Sequence, residues 1–387
     1  YLGSQGDFTF LDDNGTPENP TDDELATRIN NQFDAVGGLA RAATDLSATL
    51  RLDGTQEVFY RRQGVPGPAA TQFSAPSLEE LRSLSYLRLS AGGLAGGALD
   101  TSGTLYGVYA FQRFDSPPQD FGPFDTDNQT AVVGASNTGT WYAPWQQTVS
   151  WFDEIAYEQF FPANTFATPP DGPDQSRLRL TLALQDEARL FDDRLVLVPS
   201  LRYEHLLDDF SAVDGANQPD SPAATSNTDL LSPSFGAMLR LAPWASLRGN
   251  IGYFQRAPSF AELFGNSGSV LGNADLQPES GLNGDLGVVA EWPAWRWRDR
   301  ARLEVALFQT DYDDLIVFTQ VSPDLFRPEN VSSARVRGVE FGGATAALGH
   351  LGLELNYTYQ DSEDLSGDFT DGNQLPLRPA NELFARA

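Results

Sequence analysis

Cysteine is missing from this 387-residue chain, and so is lysine: all 25 basic residues are arginine. Without cysteine there is no disulfide, no thiolate metal site and no cysteine nucleophile. Histidine is limited to His205 and His350, which lie far apart in sequence. Each reads as an interfacial or turn residue, because one histidine without partners makes no metal site. Positive charge is scarce, and the net charge is −28. A phosphate partner needs a basic surface, so nucleic acid is disfavoured. No run approaches the roughly 20 apolar residues of a spanning helix. A strand-built membrane protein escapes that exclusion, since its signal per segment is weak. The opening YLGSQGDFTF has neither a basic start nor an apolar core, as expected of a mature or truncated chain.

What is present is alternation. From Arg177, the residues Leu178, Leu180, Leu182 and Leu184 alternate with Arg179, Thr181, Ala183 and Gln185. Side chains of a strand switch faces at every residue, so one face is apolar and the other polar. After the turn FDDR, Leu195, Leu197, Leu201 and Tyr203 share a face opposite Ser200, Arg202 and Glu204. Leu351, Leu353, Leu355, Tyr357 and Tyr359 repeat the pattern against Gly352, Glu354, Asn356 and Thr358. In a soluble sandwich the apolar face points into a core. In a membrane barrel it meets lipid, and the polar face lines the lumen.

About sixteen strands are expected, near 1–10, 31–42, 47–62, 78–91, 98–114, 129–138, 147–158, 177–190, 194–206, 231–241, 246–256, 280–291, 299–310, 334–344, 351–361 and 378–387. The connections near 43–46, 92–97, 191–193, 242–245 and 345–350 are short. Those near 11–30, 63–77, 115–128, 159–176, 207–230, 257–279, 311–333 and 362–377 are long and rich in Gly, Pro, Asn and Asp. Such alternation is the habit of an outer-membrane barrel, with tight periplasmic turns and elaborate extracellular loops. The fold class is therefore all-β, an antiparallel transmembrane β-barrel. Trp244, Trp292, Trp295 and Trp297 at short connections, and Tyr253, Phe254, Tyr357 and Tyr359 near the other strand ends, fit two interfacial girdles. Asp12, Asp13, Asp22, Asp23 and Glu24, then Asp120, Asp125 and Asp127, then Asp208, Asp209 and Asp214, then Asp361, Glu363 and Asp364 read as solvated loop acids rather than a cation site.

Residues 246–291 stop being generic. Arg256, Ala257 and Pro258 lead into Glu262, Leu263, Phe264 and Gly265, followed by Gly272, Asn273, Leu276, Pro278 and Glu279. This segment resembles the barrel of TonB-dependent outer-membrane receptors. Asn330, Ala334, Gly338, Val339 and Glu340 resemble a later strand of that family. Tyr357, Tyr359, Asp361, Pro376, Arg378 and Pro379 resemble a hairpin beyond it, and residues 6–34 an early one. The departures are that no plug domain and no TonB-binding box are present, that the family barrel has about 22 strands, and that FARA is not the family's usual aromatic C-terminus. Residues 1–387 are accordingly expected to be a barrel fragment lacking the plug and terminal strands, one that should not transport anything alone, since lipid does not tolerate open sheet edges.

No catalytic constellation stands out, so no enzyme, cofactor or resident metal is expected. Ser259 lacks the Gly-x-Ser-x-Gly elbow, Asp186 and Glu187 point to opposite faces, and LSAGGLAGGAL lacks the lysine of a phosphate loop. RAPSFAELFG has two readings. In the structural one Pro258 ends a strand while Arg256 and Glu262 pair; in the functional one Arg256 meets the plug or the ligand. The structural reading is preferred, because a motif shared by receptors of different ligands cannot encode ligand choice. Asp311, Asp313 and Asp314 read as the polar start of a loop rather than a Ca²⁺ site. The resemblance implies active import of a scarce nutrient such as a ferric siderophore or cobalamin, with outer-membrane lipid around the barrel and TonB engaged through the missing N-terminal region. The rivals are a passive porin and a soluble β surface-binding module. The ligand-binding residues are not readable.

Overall fold

The computed structural model describes all residues except 17, 68–70, 118, 119, 121–123, 165–173, 212–223, 266–269, 294–297, 323, 324, 348–350, 366, 368–371, 376 and 377. Trp295, Trp297, Asp214, His350 and Pro376 lie outside the described residues. The chain forms β1 (Leu2–Ser4), β2 (Thr9–Asp12), β3 (Glu24–Thr27), β4 (Phe33–Asp45), β5 (Leu50–Gly64), β6 (Ser77–Gly93), β7 (Leu99–Ser116), β8 (Phe124–Ala143) and β9 (Gln147–Asn164). It continues as β10 (Gln175–Leu190), β11 (Leu195–Phe210), β12 (Ala224–Ala242), β13 (Ala245–Arg256), β14 (Glu279–Trp292), β15 (Arg298–Ser322), β16 (Leu325–Ala347), β17 (Leu351–Asp364) and β18 (Asn381–Arg386). Sixteen of these strands make one antiparallel sheet, ordered β1, β4, β5 and onward to β18. Strands β2 and β3 pair only with each other.

The apolar rows face outward, and no described residue covers them. Leu180, Leu182 and Leu184 are 38%, 46% and 56% exposed, while Arg177 and Thr181 on the other face are buried. A sandwich core would bury those leucines, so the wall is a barrel wall with its apolar side turned to lipid. The outward row of β15 reads Leu303, Val305, Leu307 and then Gln309 and Asp311; facing it in β16 are Phe341, Val339 and then Arg337 and Arg335. The apolar band therefore stops while the strands continue.

Short turns join β4 to β5, β6 to β7, β8 to β9, β10 to β11 and β12 to β13, all at one end, where β14 also ends and β15 begins. Trp145 and Gln146 form such a turn with φ of 62° and 60°, the left-handed pair that suits the twist of a tight hairpin. The aromatics Trp244 and Trp292 stack at this end with ring centroids 5.8 Å apart.

Three expectations need correction. Residues 1–10 are not one strand: Gly6 takes φ of 63°, its oxygen accepts from Asn31 Nδ2, and the chain leaves the sheet to form the separate β2–β3 hairpin, which begins at Thr9 and runs into the expected loop 11–30. The span 311–333 is not a long loop but the end of the longest hairpin, β15–β16, whose register runs on to Ser322 and Leu325. Asp311, Asp313 and Asp314 suggested a loop, yet Leu315, Ile316, Val317 and Phe318 behind them are strand formers. Several acids read as solvated loop residues are paired or buried. Asp361 lies in β17 and accepts from Arg337 at 3.0 Å; Asp311 accepts from Arg335; Asp208 is buried in β11.

Candidate functional site

At the long-loop end the connection between β13 and β14 folds into the barrel mouth. Pro258 precedes a one-turn helix, Phe260–Phe264. Ser259 caps it: its hydroxyl accepts from the Glu262 N–H at 3.3 Å, and Glu262 accepts from the Ser259 N–H at 2.7 Å. This reciprocal box satisfies two donors that a helix start otherwise leaves open.

Arg256, the last residue of β13, donates to both oxygens of Glu262 at 2.9 and 3.0 Å. Its Nε donates to Glu279, the first residue of β14, at 2.6 Å. The other oxygen of Glu279 accepts from the Ile316 N–H of β15 at 3.1 Å. One guanidinium thus ties strand end, helix and following strand in planar, bidentate geometry. Burial pushes the Glu262 carboxyl up, but the Arg256 guanidinium and the Ser259 N–H outweigh it and hold that carboxyl below the usual carboxylate range.

The rest of the motif closes the loop on itself. Gly265 takes φ of 77°, and a Cβ on Gly272 would lie 2.5 Å from the Leu263 oxygen, so both positions need glycine. The Asn273 N–H donates to the Glu262 oxygen at 3.0 Å and its amide to the Pro328 oxygen at 2.9 Å. Asn330 Nδ2 donates to the Gln277 oxygen at 3.0 Å, beside Pro278. Leu263 and Leu276 enter a buried cluster with Phe160, Phe260 and Ile316, against which Phe210 and Phe264 pack. The Phe160 and Phe260 rings stack at 6.0 Å.

Sequence reasoning missed the residue that anchors this loop across the mouth. Arg177 of β10 makes a buried bidentate pair with Asp208 of β11 at 2.6 and 2.8 Å. Its remaining Nη1 donates to the Pro258 oxygen at 3.0 Å, and its guanidinium lies 5.1 Å from the Phe260 ring centroid. The alternation placed Arg177 on the polar face, but nothing in the sequence links it to a residue 81 positions later. Lower on the same face, Arg179 donates to Glu154 at 3.1 Å.

Gly338 and Glu340 are not part of this cluster. They face the lumen from β16, where the Phe308 ring sits over Gly338. His205 is on the outward face, 2.8 Å from Asp229, which also accepts from Tyr203 at 2.6 Å. Among the described residues no group of three or more His, Cys, Asp or Glu is placed to hold a metal ion.

Residues 1–385 match the family described as TonB dependent receptor-like, beta-barrel. Transferrin-binding protein A of Neisseria meningitidis serogroup B is 32% identical over 138 residues, which are 32% of this chain and 14% of that protein. Among solved structures, the copper transporter OprC superposes with a TM-score of 0.74 at 14% identity, covering 89% of this chain and 55% of its own. The hemophore receptor HasR of Serratia marcescens gives 0.64 at 20% identity, covering 86% and 55%. The alcaligin receptor FauA of Bordetella pertussis gives 0.62 at 13% identity, covering 91% and 56%. The chain spans about half the length of these solved structures. With its uncovered apolar rows, loops gathered at one end and the motif loop in the mouth, it is a barrel wall of the Gram-negative outer membrane, and it belongs to the TonB-dependent receptor family.

Proposed function

We propose that the protein to which residues 1–387 contribute imports a scarce nutrient across the outer membrane, driven by TonB. The observation that carries this reading is the family match over residues 1–385. The matched family is that of receptors rather than of porins, which favours the importer over a passive channel. The plug domain and the TonB-engaging box belong, in this proposal, to the length that solved relatives have beyond the part this chain covers.

A metal-bearing ligand, a ferric siderophore or cobalamin, is the substrate class we favour. Support comes from similar proteins whose descriptions name copper, heme with its hemophore, iron and alcaligin. Arg256, Pro258, Glu262, Leu263, Gly265, Gly272, Asn273, Leu276, Pro278 and Glu279 serve structure here: they set the loop, and other mouth residues choose the ligand. The barrel contributes affinity and a route rather than bond chemistry. A knockout grown on single sources of iron or cobalamin tests the proposal. Loss of growth on one source supports it; equal growth on every source removes this substrate class.

A further inference from the structure

The lumen wall carries a second polar constellation, far from the mouth and near the short-turn end of β10 to β14. A recess of about 420 Å³ opens there, walled by Ser200, Ser234, Arg248, Asn250 and Asn283, with Met238 at its side. The register places these residues on one face: Ser200 opposite Ser234, Met238 opposite Arg248 and Gly252 opposite Asn283. Two glycines make the floor. A Cβ on Gly236 would lie 2.8 Å from Asn250 Oδ1, and one on Gly252 would lie 2.9 Å from Asn283 Oδ1. Larger residues at either place would push the amides into the space.

Arg248 is the one charged side chain that lines this recess. Elsewhere on the lumen face Arg177, Arg179, Arg202, Arg256 and Arg302 each hold a carboxylate, whereas Arg82 and Arg240 hold none among the described residues but do not line the recess. Arg248 has no ion pair or hydrogen-bond partner among the described residues, in a chain where acids outnumber bases by 53 to 25. The nearest lumen acid in its sheet neighbourhood, Asp285, is engaged through both oxygens by Asn250 Nδ2 at 3.1 Å. The Ser200 and Ser234 hydroxyls bond each other at 2.6 Å and leave a donor and lone pairs free to turn inward. A free planar guanidinium beside amide and hydroxyl donors is the equipment for a carboxylate, which accepts two parallel N–H bonds.

We infer that this recess is a carboxylate-binding site of the lumen, with Arg248 as the charged anchor and Asn283 and Ser234 as orienting donors. Binding at this recess is independent of which nutrient is imported. The carboxylate comes from a free small molecule in the lumen or from an acidic side chain of a polypeptide lodged there; both present the same group.

Met238 provides the test, because it is the one methionine in the 387 residues and lies in the recess. The intact receptor is labelled with ¹³C-methyl methionine in detergent micelles, and the signal is assigned by its loss in Met238→Leu. Citrate and a hexaglutamate peptide are titrated separately. A saturable shift of the Met238 signal is expected, weakened at least about tenfold in Arg248→Gln, the loss of one charged hydrogen-bond anchor. Arg248→Lys should restore part of it. A response to citrate identifies a free carboxylate as sufficient; a response to the peptide alone identifies the polypeptide source. Gly252→Val, with Arg248 intact, should abolish the response while heat-modifiable gel mobility shows the barrel folded. No shift with either probe, or an equal shift in Arg248→Gln, overturns the assignment.

Discussion

Leu182 and Leu263 are the same residue type solving opposite problems. Leu182 stands 46% exposed on the outer wall, while Leu263 is 7% exposed within the mouth. The first is stabilised by lipid and needs no particular neighbour; any aliphatic side chain in that row does the same work. The second is stabilised by Phe260, Leu276 and Ile316 and depends on a loop being held in one place. The outer wall is thus tolerant and periodic, the mouth specific and aperiodic.

That contrast can be broken most sharply at Arg177. Arg177→Met leaves Asp208 buried and unpaired and removes the anchor at Pro258, a loss of about 3–5 kcal/mol for a broken buried pair. Denaturant unfolding in micelles should show it, and Arg177→Met with Asp208→Leu should recover much of the stability. Leu182→Arg attacks the other side of the comparison. A cation on the lipid face costs about 2–4 kcal/mol near the midplane, so refolding into vesicles should fall while the same variant in detergent suffers less. Equal losses in both solvents would mean the row is not lipid-facing.

Ser259→Ala removes the helix cap, about 1 kcal/mol, and should loosen the loop without touching the wall; hydrogen exchange over 259–265 reads the difference. Acid probes the same place. The Glu262 pKa is lower folded than unfolded, so its contribution is complete above about 4.3 and is lost as pH falls through the folded value. A ¹⁹F-phenylalanine signal from Phe260 should stay constant from pH 8 to 5 and change below 4, and Glu262→Gln should remove that step. The smallest effect belongs to Arg337→Gln, an exposed pair with Asp361 worth at most about 1 kcal/mol.

The wall was legible because its physics is periodic. Lipid on one side and lumen on the other impose a two-residue repeat, which Leu178 to Leu184 and Leu351 to Tyr359 display openly. The mouth was legible only in part. Arg256, Ser259 and Glu262 lie within seven residues, so local chemistry foretells their pairing. Arg177 and Asp208 come from two other strands, and only the register of β10 on β11 brings them together. Asp311 to Asp314 misled because acids are usual in loops, whereas above the apolar band a strand can carry charge on both faces.

The β15–β16 hairpin has a consequence of its own. At roughly 3.3 Å per residue, the 25 residues of β15 measure about 80 Å, against an apolar belt about 25 Å tall. Even steeply inclined, the hairpin stands well clear of the bilayer like a mast. Its far end is tied back to the mouth loop, where the Phe326 oxygen accepts from the Leu271 N–H at 2.8 Å and the Pro328 oxygen from Asn273 at 2.9 Å, so hairpin and entrance brace each other as one rim.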